Sequence, residues 1–114
     1  MTNTNAHQDA RCDARDLALI EEELAERFPK SNALSEAMRK KLALCIYKKE
    51  HCVALLGRAR RAMNSMAWSQ ASVTQKAEFR NNLQQTQDRI SELNGLIRNY
   101  ISALDQADRL LQNQ

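Results

Sequence analysis

Residues 79–111 carry an apolar seam in alternating steps of four and three: Phe79, Leu83, Thr86, Ile90, Leu93, Ile97, Tyr100, Leu104, Ala107 and Leu111. The repeat lasts for more than four heptads, with Thr86 as its one polar interruption. On an α-helix of about 3.6 residues per turn this spacing brings every member to one side. A helix with such a stripe is stable only if a partner covers most of its length. The chain is therefore expected to fold by laying long helices side by side.

A second seam supplies that partner. Met38, Leu42, Cys45, Lys49, Cys52, Leu56, Ala59, Met63 and Met66 repeat with the same steps. Gly57 lies just off this seam and the phase continues through it, so one helix is expected over about residues 33–67. Asn94-Gly95 is a common turn pair, yet Ile90, Leu93, Ile97 and Tyr100 keep register across it. A chain reversal has no reason to preserve that register, so the third helix is expected unbroken over about 70–111. Between the two, Ser69 and Ser72 compete as caps. Ser69 would let Trp68 staple onto Val73, whereas Ser72 makes a Ser-x-x-Gln box with Gln75.

A shorter first helix is expected over about 13–28. Asp13 and Asp16 suit its positive end, and Leu17, Ile20, Leu24 and Phe28 form one face. Pro29 pushes Phe28 out of helical geometry and stops it. Residues 1–10 have no apolar period and read as a disordered lead, leaving one α-helical domain over 11–114. Two Gly and one Pro among 114 residues leave little material for turns, which argues against sheets.

Stripe width then gives shape. The second helix is broad in its first half, where Ile46 and Val53 flank the seam, and narrow later, where Arg60 takes the equivalent place. The third helix is narrow first and broad later, adding Leu96, Ile101 and Leu110. A short connection makes the two antiparallel, so the broad halves coincide, and the first helix must fold back onto them. The expected fold is all-α: an antiparallel, coiled-coil-like helical hairpin with a short N-terminal third helix packed at its base. Glu21, Glu22, Glu23 and Glu26 on the first helix could face Arg39, Lys40 and Lys41 on the second.

The sequence offers little chemistry. It has no phosphate-binding glycine loop, no HExxH, no GxSxG and no Cys/His ligand array, so no catalytic, cofactor or metal site is expected. Cys45 and Cys52 are seven residues apart, about 10 Å along a helix, too far to bond each other. Cys12, His7 and His51 complete no ligand spacing. No segment approaches a membrane span and no signal peptide opens the chain, so a cytoplasmic protein is expected.

Charge and side-chain type instead mark the end of the hairpin. Between His51 and Gln87 stand five basic residues, Arg58, Arg60, Arg61, Lys76 and Arg80, against Glu78 alone. Five minus one gives +4, more than the +3 of the whole chain. The sole Trp, Trp68, lies there with Met63 and Met66, a combination suited to gripping an acidic partner. A second surface is the broad end of the third helix, where Leu96, Ile97, Tyr100, Ile101, Leu104, Leu110 and Leu111 form a candidate oligomer seam. Lys49 and Thr86, polar at core-type positions, could fix register or oligomer number.

The reading is a non-enzymatic adaptor, assembly or chaperone-like protein that acts through coiled-coil contacts with a protein partner and forms a homodimer. The alternative is a nucleic-acid-associated accessory protein using the basic face of the second helix and the hairpin tip.

Overall fold

The computed structural model describes residues 15–29 and 33–112, and every regular element among them is helical. These are α1 (Leu17–Arg27), α2 (Ala33–Ala62), α3 (Met66–Gln70) and α4 (Val73–Gln112). Helices α2 and α4 pack against each other as an antiparallel hairpin, and α1 packs on α2. The expected lead over 1–10 and the Asp13 end of the first helix lie outside the described residues.

Helix α1 ends where proline chemistry requires. Phe28 is its C-cap at φ −122° and ψ 69°, and its N–H still donates to the Leu24 carbonyl at 2.9 Å. Asp16 stands at the N-cap with extended backbone, but its side chain caps nothing. The Phe28 ring turns inward and is 2% exposed. Together with Ile20 and Leu24 it forms a core with Leu42 and Ala43 of α2 and Leu104 of α4. Ile46, Tyr47, Ile97, Tyr100 and Ile101 pack around it, half-buried. The broad halves of α2 and α4 thus meet under α1, giving a three-helix base.

Electrostatics fix α1 differently from the sequence expectation. Arg15, just before α1, donates to the Glu50 carboxylate of α2 at 2.8 and 3.3 Å and also pairs with Glu23. The Glu50 carboxylate, and after it Glu23, raises the pKa of the Arg15 guanidinium. At the other end, Arg39 Nη1 donates to the Phe28 carbonyl at 3.2 Å, satisfying an acceptor that the end of α1 leaves open. Glu21, Glu22, Glu26, Lys40 and Lys41 all stay exposed. Here the sequence expectation is corrected: α1 is clipped at two points, and the cation of the ion pair sits on the α1 side.

Among the described residues, the hairpin beyond Leu56 and Leu83 continues as two helices alone. Gly57 and Gly95 are both helical, with no positive φ, and α4 runs straight through Asn94-Gly95. The joint differs from the expectation of one break within the window 66–73. Helix α2 stops at Ala62, and a single-turn helix, α3, is inserted before α4 begins at Val73. Three serines explain this. Ser65 Oγ donates back to the Ala62 carbonyl at 2.6 Å and accepts from the Trp68 N–H at 3.3 Å, closing one helix and opening the next. Ser72 and Gln75 then exchange hydrogen bonds at 3.1 and 2.9 Å. Of the two competing caps, Ser72 opens α4. Ser69 bonds the Met66 carbonyl instead.

Candidate functional site

Trp68 lies on α3, at the end of the two-helix arm. Its ring packs on Phe79 of α4, with centroids 5.1 Å apart and planes tilted by 58°. Val73 is 85% exposed, so the staple onto Val73 does not form. Phe79 belongs to the seam, and the indole therefore closes the open end of the apolar interior. One turn back along α4 from Phe79, and one residue on, two cations converge. Lys76 Nζ and Arg80 Cζ each lie 5.7 Å from the centre of the indole ring. At that separation a cation is drawn to the aromatic face by about 0.5–1 kcal/mol where water is present.

Beside the indole is an open hollow of about 320 Å³, lined by Ala62, Ser65, Ala67, Trp68, Ala71, Gln75 and Phe79. Three alanines there leave room for an incoming side chain. Phe79 also borders a second hollow of about 190 Å³, which runs down the arm along Leu55, Leu56, Ala59, Asn82, Leu83 and Thr86. The two hollows share Phe79, so apolar surface continues from the tip into the arm. Thr86 does not reach across to α2. Its Oγ1 donates to the Asn82 carbonyl on its own helix at 3.0 Å.

The structure does not treat the tip residues as one group. Trp68, Met63 and Lys76 are half-buried, while Met66 is 76% exposed. Arg58, Arg60 and Arg61 are exposed on the last turns of α2. Successive helical residues turn by about 100°, so Arg58 and Arg61 lie about 60° apart while Arg60 stands about 160° from Arg58, and the three do not share one face. Arg61 folds back along its own helix, its guanidinium 3.8 Å from where a Cβ on Gly57 would stand. None of the five basic residues forms an ion pair with a carboxylate of a described residue. Their charge is left for water or for a partner.

The candidate oligomer seam also divides. Leu104 is 1% exposed, and Ile97, Tyr100 and Ile101 pack against the same core. Leu104 is thereby taken up inside the chain, while Ile97, Tyr100 and Ile101 are only partly buried. Leu96 and Leu110 remain outward at 41% and 67%, and Leu111 is half-buried. Sequence reasoning missed Leu34, Leu44 and Leu55 of α2, exposed by 69%, 41% and 52%. Leu34 and Leu55 belong to the seven-step series Leu34, Lys41, Lys48, Leu55, which two lysines conceal.

Cys45 and Cys52 are free thiols, half-buried on α2. His51 sets its ring edge-on to Tyr47 at 4.3 Å, a packing contact. Among the described residues no group of three or more His, Cys, Asp or Glu could hold a metal ion. No helix among them is long and apolar enough to cross a membrane. Comparison of the chain with protein-family models, curated proteins and solved structures gives no match.

Proposed function

We propose that this protein is a non-enzymatic adaptor, or assembly and chaperone-like protein, that grips an acidic segment of a partner protein with the tip of its helical arm. One observation carries the reading: a half-buried indole with two cations at 5.7 Å borders an alanine-lined hollow. An apolar side chain of the partner enters the hollow against Trp68, while flanking carboxylates meet Lys76 and Arg80. Such a contact has the anatomy of a small interface, an aromatic anchor with a charged rim. The anchor supplies affinity that salt leaves intact, and the rim supplies orientation and on-rate that salt weakens.

Photo-crosslinking in cells that make the protein tests this. A photoreactive residue replacing Met66 at the tip is compared with one replacing Glu36 on the base. The expected result is a discrete protein adduct from the tip alone, lost on Trp68→Ala and weakened by Lys76→Ala with Arg80→Ala. Adducts that ignore all three substitutions overturn the reading.

Nucleic acid is the second reading, favoured by the five cations without carboxylate partners. It requires binding that falls steeply with salt and fails in the combined Arg58→Ala, Arg60→Ala, Arg61→Ala variant. The fanning of these arginines around α2 favours the protein partner, because one phosphate track cannot meet all three.

A further inference from the structure

Helix α1 covers only one side of the hairpin. It lies against Ala43, Tyr47 and Ile101, and the opposite side of α2 and α4 carries nothing from the described chain. Leu55 and Asn82 identify that opposite side, because both border the hollow beside Leu56 and Leu83. Each belongs to a seven-step series flanking its seam: Leu34, Lys41, Lys48, Leu55 on α2, and Asn82, Arg89, Leu96, Ala103, Leu110 on α4. Seven-step series stay on one stripe of a helix. The uncovered face therefore presents Leu34, Leu44 and Leu55 beside Leu96 and Leu110, all between 41% and 69% exposed. So many leucines on one face call for a cover.

Charge says what the cover is. The rim of this face is basic along α2, with Lys48 and Arg58, and carries Glu78 and Glu92 along α4. Leu55, Leu56 and Ala59 face Phe79, Asn82, Leu83 and Thr86, which sets the levels of the two helices. Counting along from there, Lys48 is level with Glu92, Leu44 with Leu96, and Arg58 with a point about one turn from Glu78. The two rims are thus opposite in sign at the same heights. A twofold axis along the hairpin turns these into contacts, because it lays α2 of one copy over α4 of the other. A twofold across the hairpin would instead set α2 on α2, bringing lysines to lysines.

We propose that this face is an isologous interface with a second copy of the chain, the two arms lying side by side with both tips at one end. Leu44 meets the partner's Leu96, Lys48 meets the partner's Glu92 and Arg58 meets the partner's Glu78, each contact made twice. Glu92 already pairs with Arg89 at 3.2 Å on the exposed surface and exchanges that contact for Lys48. The result is a four-helix layer with α1 outermost on both sides and two basic tips presented together. Of the tip residues the interface uses only Arg58, which the adaptor reading does not invoke, so it stands or falls independently of that reading.

Sedimentation of the full chain tests this. The wild type is expected at twice 13.0 kDa, and Leu44→Asp with Leu96→Asp at 13.0 kDa with its helical circular dichroism retained. Should that pair unfold the chain, Leu34→Lys with Leu110→Lys, at the two most exposed positions of the patch, serves instead. Orientation is read by mixing. Lys48→Glu and Glu92→Lys each weaken their own homodimer, by about three- to tenfold for two exposed pairs. Mixed together, the two variants form heterodimers in preference to either homodimer, because both contacts then join opposite charges, one with its original sign and one reversed. A wild type that stays monomeric, a dimer that survives the leucine substitutions, or a mixture without heterodimer preference overturns the proposal. Trp68→Ala leaves the dimer unchanged.

Discussion

The base and the arm of the hairpin are made from the same two seams, yet only the base has a core. In the base, Ile20, Leu24, Phe28, Leu42, Ala43 and Leu104 are 0–6% exposed. In the arm Leu56 still reaches 9%, but beyond it Leu83, Ala59 and Phe79 are only half-buried around an open hollow of about 190 Å³. The difference is α1. Two helices touch along a line and leave water on both sides of it, whereas a third turns the line into an enclosed volume. What the arm gives up in burial it keeps as accessible apolar surface, and the proposed contact with a partner protein draws on that surface.

The sharpest way to break the comparison is to truncate one leucine in each region. Leu104→Ala removes a side chain that is 1% exposed, and a loss of about 2–5 kcal/mol is expected from transfer and cavity terms together. Leu83→Ala, half-buried beside an existing hollow, is expected to lose less than half as much. Urea denaturation measures both. Equal losses would mean that the arm is as well packed as the base in solution, and the comparison would fail.

How far the sequence anticipated this contrast depends on the kind of signal. The narrowing of the stripe at Arg60 and the flanking Ile46 and Ile101, which pack on the core, placed the base and the arm, whereas Val53, Leu96 and Leu110 of the expected broad faces stay exposed. Phe28 before Pro29 placed the end of α1 for the same local reason. Helix α3 was not legible, since the seam kept phase through Met63 and Met66 while the Ser65 hydroxyl, donating to Ala62 and accepting from Trp68, closed one helix and opened the next. Nor was the choice between Ser69 and Ser72 decidable without knowing where Trp68 packs. Of the candidate oligomer seam, Leu104 is covered by the chain itself, because periodicity shows that residues are covered, and not by what. Phe79, on which Trp68 rests, stood in the seam already, but nothing in the spacing tied it to the indole across the intervening turn.

The joint at the end of the arm should respond at intermediate size. Ser72→Ala removes the reciprocal bonds with Gln75, and a cost of about 1 kcal/mol is expected. Because the arm is thinly packed, this loss is expected as local opening around α3 and the first turn of α4. Amide exchange near residues 73–76 should quicken while the base amides of α2 keep their rate. A uniform rise across both regions would show that they open as one unit.

Glycine replacement probes the same contrast with the opposite sign. Gly57 lies in the arm and Gly95 toward the base, both helical without positive φ. A Cβ at Gly95 meets nothing within 4 Å, and one at Gly57 meets only the Arg61 guanidinium at 3.8 Å, an ordinary contact. Each Gly→Ala change is expected to stabilise by up to about 1 kcal/mol, read as a higher urea midpoint. Destabilisation at Gly57 alone would mean that the arm bends there in solution.

The smallest effect concerns how α1 is held, and it asks whether the base owes its stability to packing or to charge. Arg15 Nε shares its one N–H between the two Glu50 oxygens, and the two side chains remain 33% and 21% exposed, so water competes for both. Exposed pairs couple by about 0.2–1 kcal/mol. A double-mutant cycle of Arg15→Ala and Glu50→Gln is expected in that range and is expected to shrink in added salt. The buried Phe28, Ile20 and Leu24 contribute through apolar area and should lose nothing in salt. A coupling well above that range would make Arg15 the anchor of α1 and the apolar core secondary. The distinction between base and arm would then rest on one ion pair, and salt alone should detach α1 and leave the hairpin open on both sides.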